Sequence, residues 1–116
     1  MRYVTDFLAS EVQKDPSLIP GIQMAELRIL LAQLIYSSVY DFGYSRLKLM
    51  RYLHISPFTL HRILDGNVPF EGEELLKFAL RVVKFYTDQI GLHNSDAKAD
   101  ISRVESIVHK NSFATV

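Results

Sequence analysis

The stretch HISPFTLHRILDG, residues 54–66, carries the signals of a short helix with a defined start and end. Ser56 can cap a helix because its side-chain oxygen accepts a backbone N–H bond, and Pro57 suits the first helical position because its missing donor would be unpaired there. Gly66 suits the position just after a helix. These signals predict a helix over 56–65, about two and a half turns long.

This predicted helix has a core face and a presented face. At about 100° per residue, Leu60, Ile63 and Leu64 fall within one arc, which marks the side toward a core. The opposite arc carries Phe58, His61, Arg62 and Asp65. A bulky phenylalanine on the solvent side makes Phe58 a candidate binding residue.

The composition fits one domain. The chain has 116 residues, 48% of them hydrophobic, and no cysteine, so it can bury a core without disulfides and nothing points to an oxidising compartment. Asp6 and Glu11 interrupt the N-terminal apolar pattern, which makes it a poor signal peptide, and polar residues break the apolar segment at 22–40, which argues against a membrane span. We expect a single cytoplasmic domain over 1–116, with no membrane association.

Helical periodicity predicts an all-α fold. Apolar residues recur at spacings of three and four, and strand signals are nearly absent. Pro16 and Pro20 cannot continue a helix, so a turn is expected at 15–21. Besides 56–65, helices are expected at about 3–14, 22–41, 45–53, from 71 onward and 96–110, with the last six residues fraying.

The predicted helix at 22–41 is apolar around most of its circumference, so it must be covered on several sides. The N-terminal helix or a second subunit is expected to cover what the core does not. The tail helix also has an apolar face, which either packs within the chain or forms a dimer seam. Its residues are Ala97, Ile101, Val104, Ile107 and Val108.

The charges of the chain are unevenly distributed, although the formal net charge is zero. No acidic residue lies between Phe42 and Leu64, and carboxylates resume at Asp65. A local basic field can steer a polyanion even in a neutral chain, although a solvated basic face is the alternative. The cations of this stretch are Arg46, Lys48, Arg51 and Arg62.

The two helices and short turn over 45–65 form a helix-turn-helix candidate, and the surrounding residues resemble the lambda-repressor-like, or Xre/Cro-type, DNA-binding family. That family reads as a glycine, a hydrophobe and a Ser/Thr cap, then L-x-I-S-x-x-T-[LIV]-x-R-[hydrophobe]-x-x-G, a proline and a last helix. The match covers about a third of the chain without a gap. It comprises Gly43-Tyr44-Ser45, Leu53, Ile55-Ser56, Thr59-Leu60, Arg62-Ile63, Gly66, Pro69 and EELLKFALRVV.

The sequence departs from this family pattern at several positions. His54 stands in the turn where the family usually has glycine, and Met50 stands where the first motif helix usually offers alanine. Pro57 and Phe58 replace polar residues that often read bases. The reading end of the second motif helix is therefore apolar.

The resemblance implies a lambda-repressor-like helix-turn-helix bundle, with its core at 22–86 and accessory segments at 1–15 and 95–110 that are candidates for dimerisation. It implies a transcriptional regulator that binds double-stranded DNA through the 56–65 helix. One short helix makes few base contacts, so a homodimer is expected. The implied DNA-binding residues are Arg46, Lys48, Ser56, Pro57, Phe58, Thr59, His61, Arg62 and Asn67.

An alternative function is a non-enzymatic protein-interaction module, such as an adaptor or an antitoxin-like partner. Pro57 and Phe58 would then form an apolar patch for a protein partner, with Arg62 at its rim. Arg62 also has a structural alternative, an ion pair with Asp65 or with an acid of the next helix.

No catalytic, metal or cofactor site is expected. His54 and His61 lack a second pair of residues at metal-ligand spacing, so they are interpreted as a turn residue and a surface group. The carboxylates at 71, 73 and 74 suit the positive end of a helix dipole, since the sequence offers no partner for acid–base chemistry.

Overall fold

The computed structural model describes residues 19–91 and 95–114, which confirm the all-α prediction because they contain helices and no strand. The helix expected at 3–14 lies outside the described residues. The elements are α1 (Ile19–Tyr40), α2 (Arg46–Leu53), α3 (Pro57–Leu64), α4 (Gly72–Phe85), a π-helical turn (Tyr86–Ile90) and α5 (Ser95–Ala114).

The start of α1 corrects the prediction that Pro20 precedes the helix. The helix begins at Ile19, so Pro20 lies in its first turn. Proline is tolerated there because the first backbone N–H groups of a helix have no partner within it. None of the described helices is long and apolar enough to cross a membrane.

The core lies where α1, α4 and α5 pack against one another. The helix α2 packs against α4, and α3 packs against α1. The apolar face of α5 is buried against α1 and α4 within the chain, and α5 extends to Ala114 rather than fraying after Lys110. Tyr36 and Tyr40 of α1 are about half-exposed. Buried side chains include Leu27, Leu31, Ile35, Phe78, Val82, Phe85, Ile101, Val104 and Ile107.

An ion pair fastens α5 to α1. Two nitrogens of Arg103 donate to the two carboxylate oxygens of Glu26, at 2.9 and 2.6 Å. The Glu26 side chain is 6% exposed, whereas that of Arg103 is 38% exposed. The hydrogen bonds to Glu26 raise the pKa of Arg103 above its ordinary value.

The π-helical turn at the end of α4 was not expected from the sequence, which predicted only a helix from residue 71 onward. Two tyrosines, one in α2 and one in the loop before it, bind this turn. Tyr52 donates a hydrogen bond to Asp88 at 2.7 Å, and Tyr44 donates one to Gln89 at 3.1 Å. The hydrogen bond to Asp88 raises the pKa of Tyr52 to about 12. These contacts attach α2 and its leading loop to the end of α4.

Candidate nucleic-acid interface

The turn between α2 and α3 has the short, closed form that the sequence predicts. Ser45 caps α2 by accepting a bond from the Lys48 backbone N–H, and α2 ends at His54 in a left-handed conformation, with φ of 57°. Histidine enters that region more readily than most residues other than glycine. His54 is the only non-glycine residue with positive φ in the described part of the chain, and it lets the chain turn directly into α3.

The start and end of α3 are confirmed. The Ser56 hydroxyl accepts a bond from the Thr59 backbone N–H at 3.1 Å, and Pro57 occupies the first helical position. The end is closed by Gly66 and Asn67, whose backbone N–H groups donate to carbonyls in the last turn. The helix is therefore stabilised locally at both ends.

The two faces of α3 also agree with the prediction. Leu60 and Ile63 are buried, with exposures of 3% and 0%, which places this face in the core. The presented face carries Phe58, which is 70% exposed, and His61, which is also exposed. Arg62 on the same face is half-buried.

Phe58 and Arg62 contact each other on this face. The Arg62 guanidinium carbon lies 5.9 Å from the centre of the Phe58 ring, which is within the range of a cation–π contact. Asp65, one alternative partner of Arg62, instead lies 3.4 Å from His61. Within the described residues Arg62 makes no ion pair, so its guanidinium is held by an aromatic ring rather than by an acid.

The hydroxyls of Ser56 and Thr59 are engaged in the start of α3. Besides its cap bond, Ser56 donates to the Thr59 hydroxyl oxygen at 3.0 Å. These two residues brace the helix start, and each hydroxyl oxygen retains acceptor capacity.

Arg46 and Lys48 are exposed in the first turn of α2. Arg46 donates to the hydroxyl oxygen of Tyr40 at 2.9 Å, and its guanidinium lies 5.4 Å from the ring centre. The Tyr40 ring also packs against the ring of Tyr36, with ring centres 4.5 Å apart. Sequence reasoning missed Tyr40 as a partner of Arg46, because the contact depends on how α1 and α2 meet.

A shallow apolar depression lies between α2 and α3. It has a volume of about 530 Å³ and includes Pro57 at the start of α3. Leu47 of α2, which is 54% exposed, is a functional candidate that the sequence prediction missed. The sequence pattern could have identified it, because Leu47 lies outside the apolar stripe that Leu49 and Leu53 form on α2. The lining residues are Leu47, Met50, Arg51, His54, Ile55 and Pro57.

The electrostatic character of the surface changes at the end of α3. No carboxylate is carried by α2 or α3, whereas Arg62 and Asn67 line a depression together with Glu71 and Glu74. Asn67 itself is exposed. The helices α2 and α3 thus carry cations without carboxylates, whereas the start of α4 carries carboxylates.

A separate groove of about 1050 Å³ lies between α1, the end of α3 and the first half of α5. Asp96 and Asp100, one turn apart on α5, both line it. Burial raises the pKa of Asp100, and the neighbouring carboxylate of Asp96 raises it further. The groove is thus acidic, in contrast to the basic surface of α2 and α3.

Replacing Asp100 with Asn is expected to stabilise the protein at neutral pH. Because the folded-state pKa is raised, the fold favours the protonated form; that preference is fully present below about pH 4 and is lost as the pH rises through the folded-state pKa. The charged carboxylate therefore destabilises the fold at neutral pH, and a neutral amide does not. Urea unfolding at neutral and acidic pH measures the difference, with the exposed Glu105→Gln on α5 as the control. An equal effect of Asp100→Asn at both pH values would contradict the assignment.

No group of three or more His, Cys, Asp or Glu side chains within residues 19–91 and 95–114 could hold a metal ion. Glu73 and Glu74, at the start of α4, each lie within ion-pair distance of Lys77, at 3.6 and 3.9 Å.

No protein-family model, curated protein or solved structure matches the chain.

Proposed function

We propose that this protein binds double-stranded DNA through α2 and α3 and regulates transcription as a homodimer. The observation that carries the proposal is α3 itself: a helix capped at both ends and anchored by Leu60 and Ile63, which presents Phe58 and Arg62 and, like α2, carries no carboxylate. A rigid, presented helix on a basic surface is the geometry with which helix-turn-helix proteins enter the major groove.

Each candidate residue has a separate role in this proposal. The start of α3 enters the major groove, so Phe58 and Arg62 reach base edges. Arg46 and Lys48, in the first turn of α2, bind backbone phosphates, and Tyr40 orients the Arg46 guanidinium for that contact. The start of α3 is fixed by Pro57, Ser56 and Thr59. Near the C-terminal end of α3, His61 and Asn67 contact the DNA backbone.

A homodimer would supply the second recognition helix. The apolar face of α5 is buried against α1 and α4, so a dimer needs another surface. Exposed aromatic side chains near the C-terminal end of α1, Tyr36 and Phe42, offer one, with exposures of 49% and 41%. Analytical ultracentrifugation of the free protein tests this part of the proposal.

Arg46→Ala is expected to weaken duplex binding and flatten its salt dependence. A cation that neutralises one phosphate contributes about one unit to the slope of log affinity against log salt concentration. Because Arg62 reaches a base edge in this proposal, Arg62→Ala should lower affinity at all salt concentrations with little change in slope. Fluorescence anisotropy over a salt series measures both quantities, and Lys110→Ala on α5 is the matched control.

The duplexes for this measurement come from selection of bound sequences out of a random pool, which also gives the spacing of the half-sites. If the unsubstituted protein shifts no duplex at low salt, the DNA-binding proposal is wrong. If Lys110→Ala lowers the slope as much as Arg46→Ala does, the binding is not centred on α2 and α3.

A second candidate function is a non-enzymatic protein-interaction module that uses the same surface. It is favoured by two exposed hydrophobic residues, Leu47, which lines the apolar depression containing Pro57, and Phe58, which follows Pro57 in α3. Exposed apolar patches of this kind mark protein-binding surfaces. Leu47→Ser would then abolish capture of the partner, whereas binding to DNA would tolerate it.

A further inference from the structure

We propose that α3 reads a thymine and a guanine on neighbouring base pairs, with the Phe58 ring on the thymine methyl group and the Arg62 guanidinium on the guanine edge. This inference rests on the proposed function and specifies the sequence class that the site recognises. It treats Phe58 and Arg62 as one reading unit rather than as two independent contacts.

The first step is the contact between the two side chains. Phe58 and Arg62 are four residues apart, so they are neighbours one turn apart on the same helix face. Their separation of 5.9 Å and the 70% exposure of Phe58 place a cation against a ring that is otherwise open to solvent. The ring therefore restricts Arg62 to conformations that point along the presented face.

The second step is that the other polar side chains of this face have partners in or beside α3. The Ser56 hydroxyl accepts the Thr59 backbone N–H and donates to the Thr59 hydroxyl oxygen, and His61 Nε2 lies 3.4 Å from Asp65 Oδ2. These partners compete with bases, which favours Phe58 and Arg62 as the side chains of α3 that read bases.

The third step is the chemistry of the major groove. The thymine methyl is its apolar group and makes contacts with phenylalanine, whereas the guanine O6 and N7 atoms accept two bonds from one guanidinium. Successive bases of a strand lie about 3.4 Å apart, so two side chains that lie 5.9 Å apart on one helix face can contact neighbouring base pairs.

The experiment uses the duplex enriched by selection from a random pool. We expect its half-site to contain a thymine next to a guanine. Replacing that thymine with uracil removes only the methyl group and should weaken binding about fourfold. Replacing the guanine with 7-deazaguanine removes one acceptor and should weaken binding about tenfold.

The variants separate the two contacts. Phe58→Ala should bind the thymine and uracil duplexes equally and should also discriminate less between guanine and 7-deazaguanine, because Arg62 has lost its positioning ring. Phe58→Leu, which keeps an apolar side chain, should retain part of the preference for thymine. Arg62→Lys should bind with the charge retained but without the preference for guanine. Circular dichroism of each variant checks that α3 is folded, which is expected because both side chains lie on its presented face.

The outcomes distinguish failure of this inference from failure of the proposed function. If no duplex is bound at low salt, DNA binding itself fails and the inference fails with it. If duplexes are bound but uracil binds as well as thymine, or the selected sites lack the neighbouring pair, only the inference is overturned. A preference for thymine that persists in Phe58→Ala also overturns it.

Discussion

Replacing Ile63 with alanine is expected to lower the free energy of unfolding by about 3 kcal/mol and to weaken duplex binding with it. Ile63 is fully buried on the core face of α3, and α3 is held mainly against α1. Truncation leaves a cavity beneath the helix, and the remaining anchor, Leu60, lies one turn closer to the N-terminus of α3. Urea unfolding followed by circular dichroism measures the loss.

The control for Ile63→Ala is His61→Ala, two residues earlier on the exposed face of the same helix. Its effect on stability should stay within about 0.5 kcal/mol, since surface substitutions outside special contacts have small effects. If both variants unfold at the same urea concentration, α3 is not anchored through Ile63 and the assignment of its two faces is wrong.

Replacing Arg103 with alanine is expected to lower the free energy of unfolding by about 2 kcal/mol or more. The substitution leaves the Glu26 carboxylate without its two charge-assisted bonds at a position where its side chain is 6% exposed. Breaking a fully buried pair costs about 3–5 kcal/mol. The expected loss is smaller here because the exposed part of Arg103 lies in water, which can enter when the side chain is removed.

Three variants locate the origin of that loss. Arg103→Lys keeps the charge but not the two-pronged geometry, so it should fall between the parent and Arg103→Ala. The double replacement Glu26→Leu with Arg103→Leu should recover much of the stability, because no buried charge is left unpaired. Arg51→Ala, at an exposed cation of α2, should have little effect. A double variant less stable than Arg103→Ala would contradict the unpaired-charge explanation.

The bounds of α3 were predictable because each of its signals is local. Ser56 bonds to a backbone group three residues away, Pro57 needs no partner, and Gly66 closes the end through neighbouring carbonyls. The exposure of Phe58 followed from helical spacing alone. The short turn between α2 and α3 followed from local signals too, since Ser56 marks the start of α3. The left-handed conformation of His54 shows that histidine fills the position where glycine is usual.

Contacts between distant segments were not predictable. Glu26 and Arg103 are 77 positions apart, and neither carries a local signal that names the other. The exposed sides of α1 could not be chosen, because a helix that is apolar almost all round has no periodicity to indicate them. Tyr40, for example, is 53% exposed and accepts a hydrogen bond from Arg46.

The candidate site was predictable in its membership but not in its internal pairing. The residues on α3 share the presented face as expected, yet the acid partner considered for Arg62 is closer to His61. Spacing allowed both pairs, since Asp65 lies within one turn of either residue. Choosing between them required the side-chain conformations that the Phe58 ring imposes on Arg62.

The π-helical turn at Tyr86–Ile90 makes the contacts of this segment depend on its number of residues. Such a turn accommodates one residue more than an α-helix would. A single deletion would leave a regular helix but rotate the residues after it by about 100°, taking Asp88 and Gln89 away from the tyrosines beside α2. Length changes over 86–90 should therefore be selected against, although residues 87–89 are exposed.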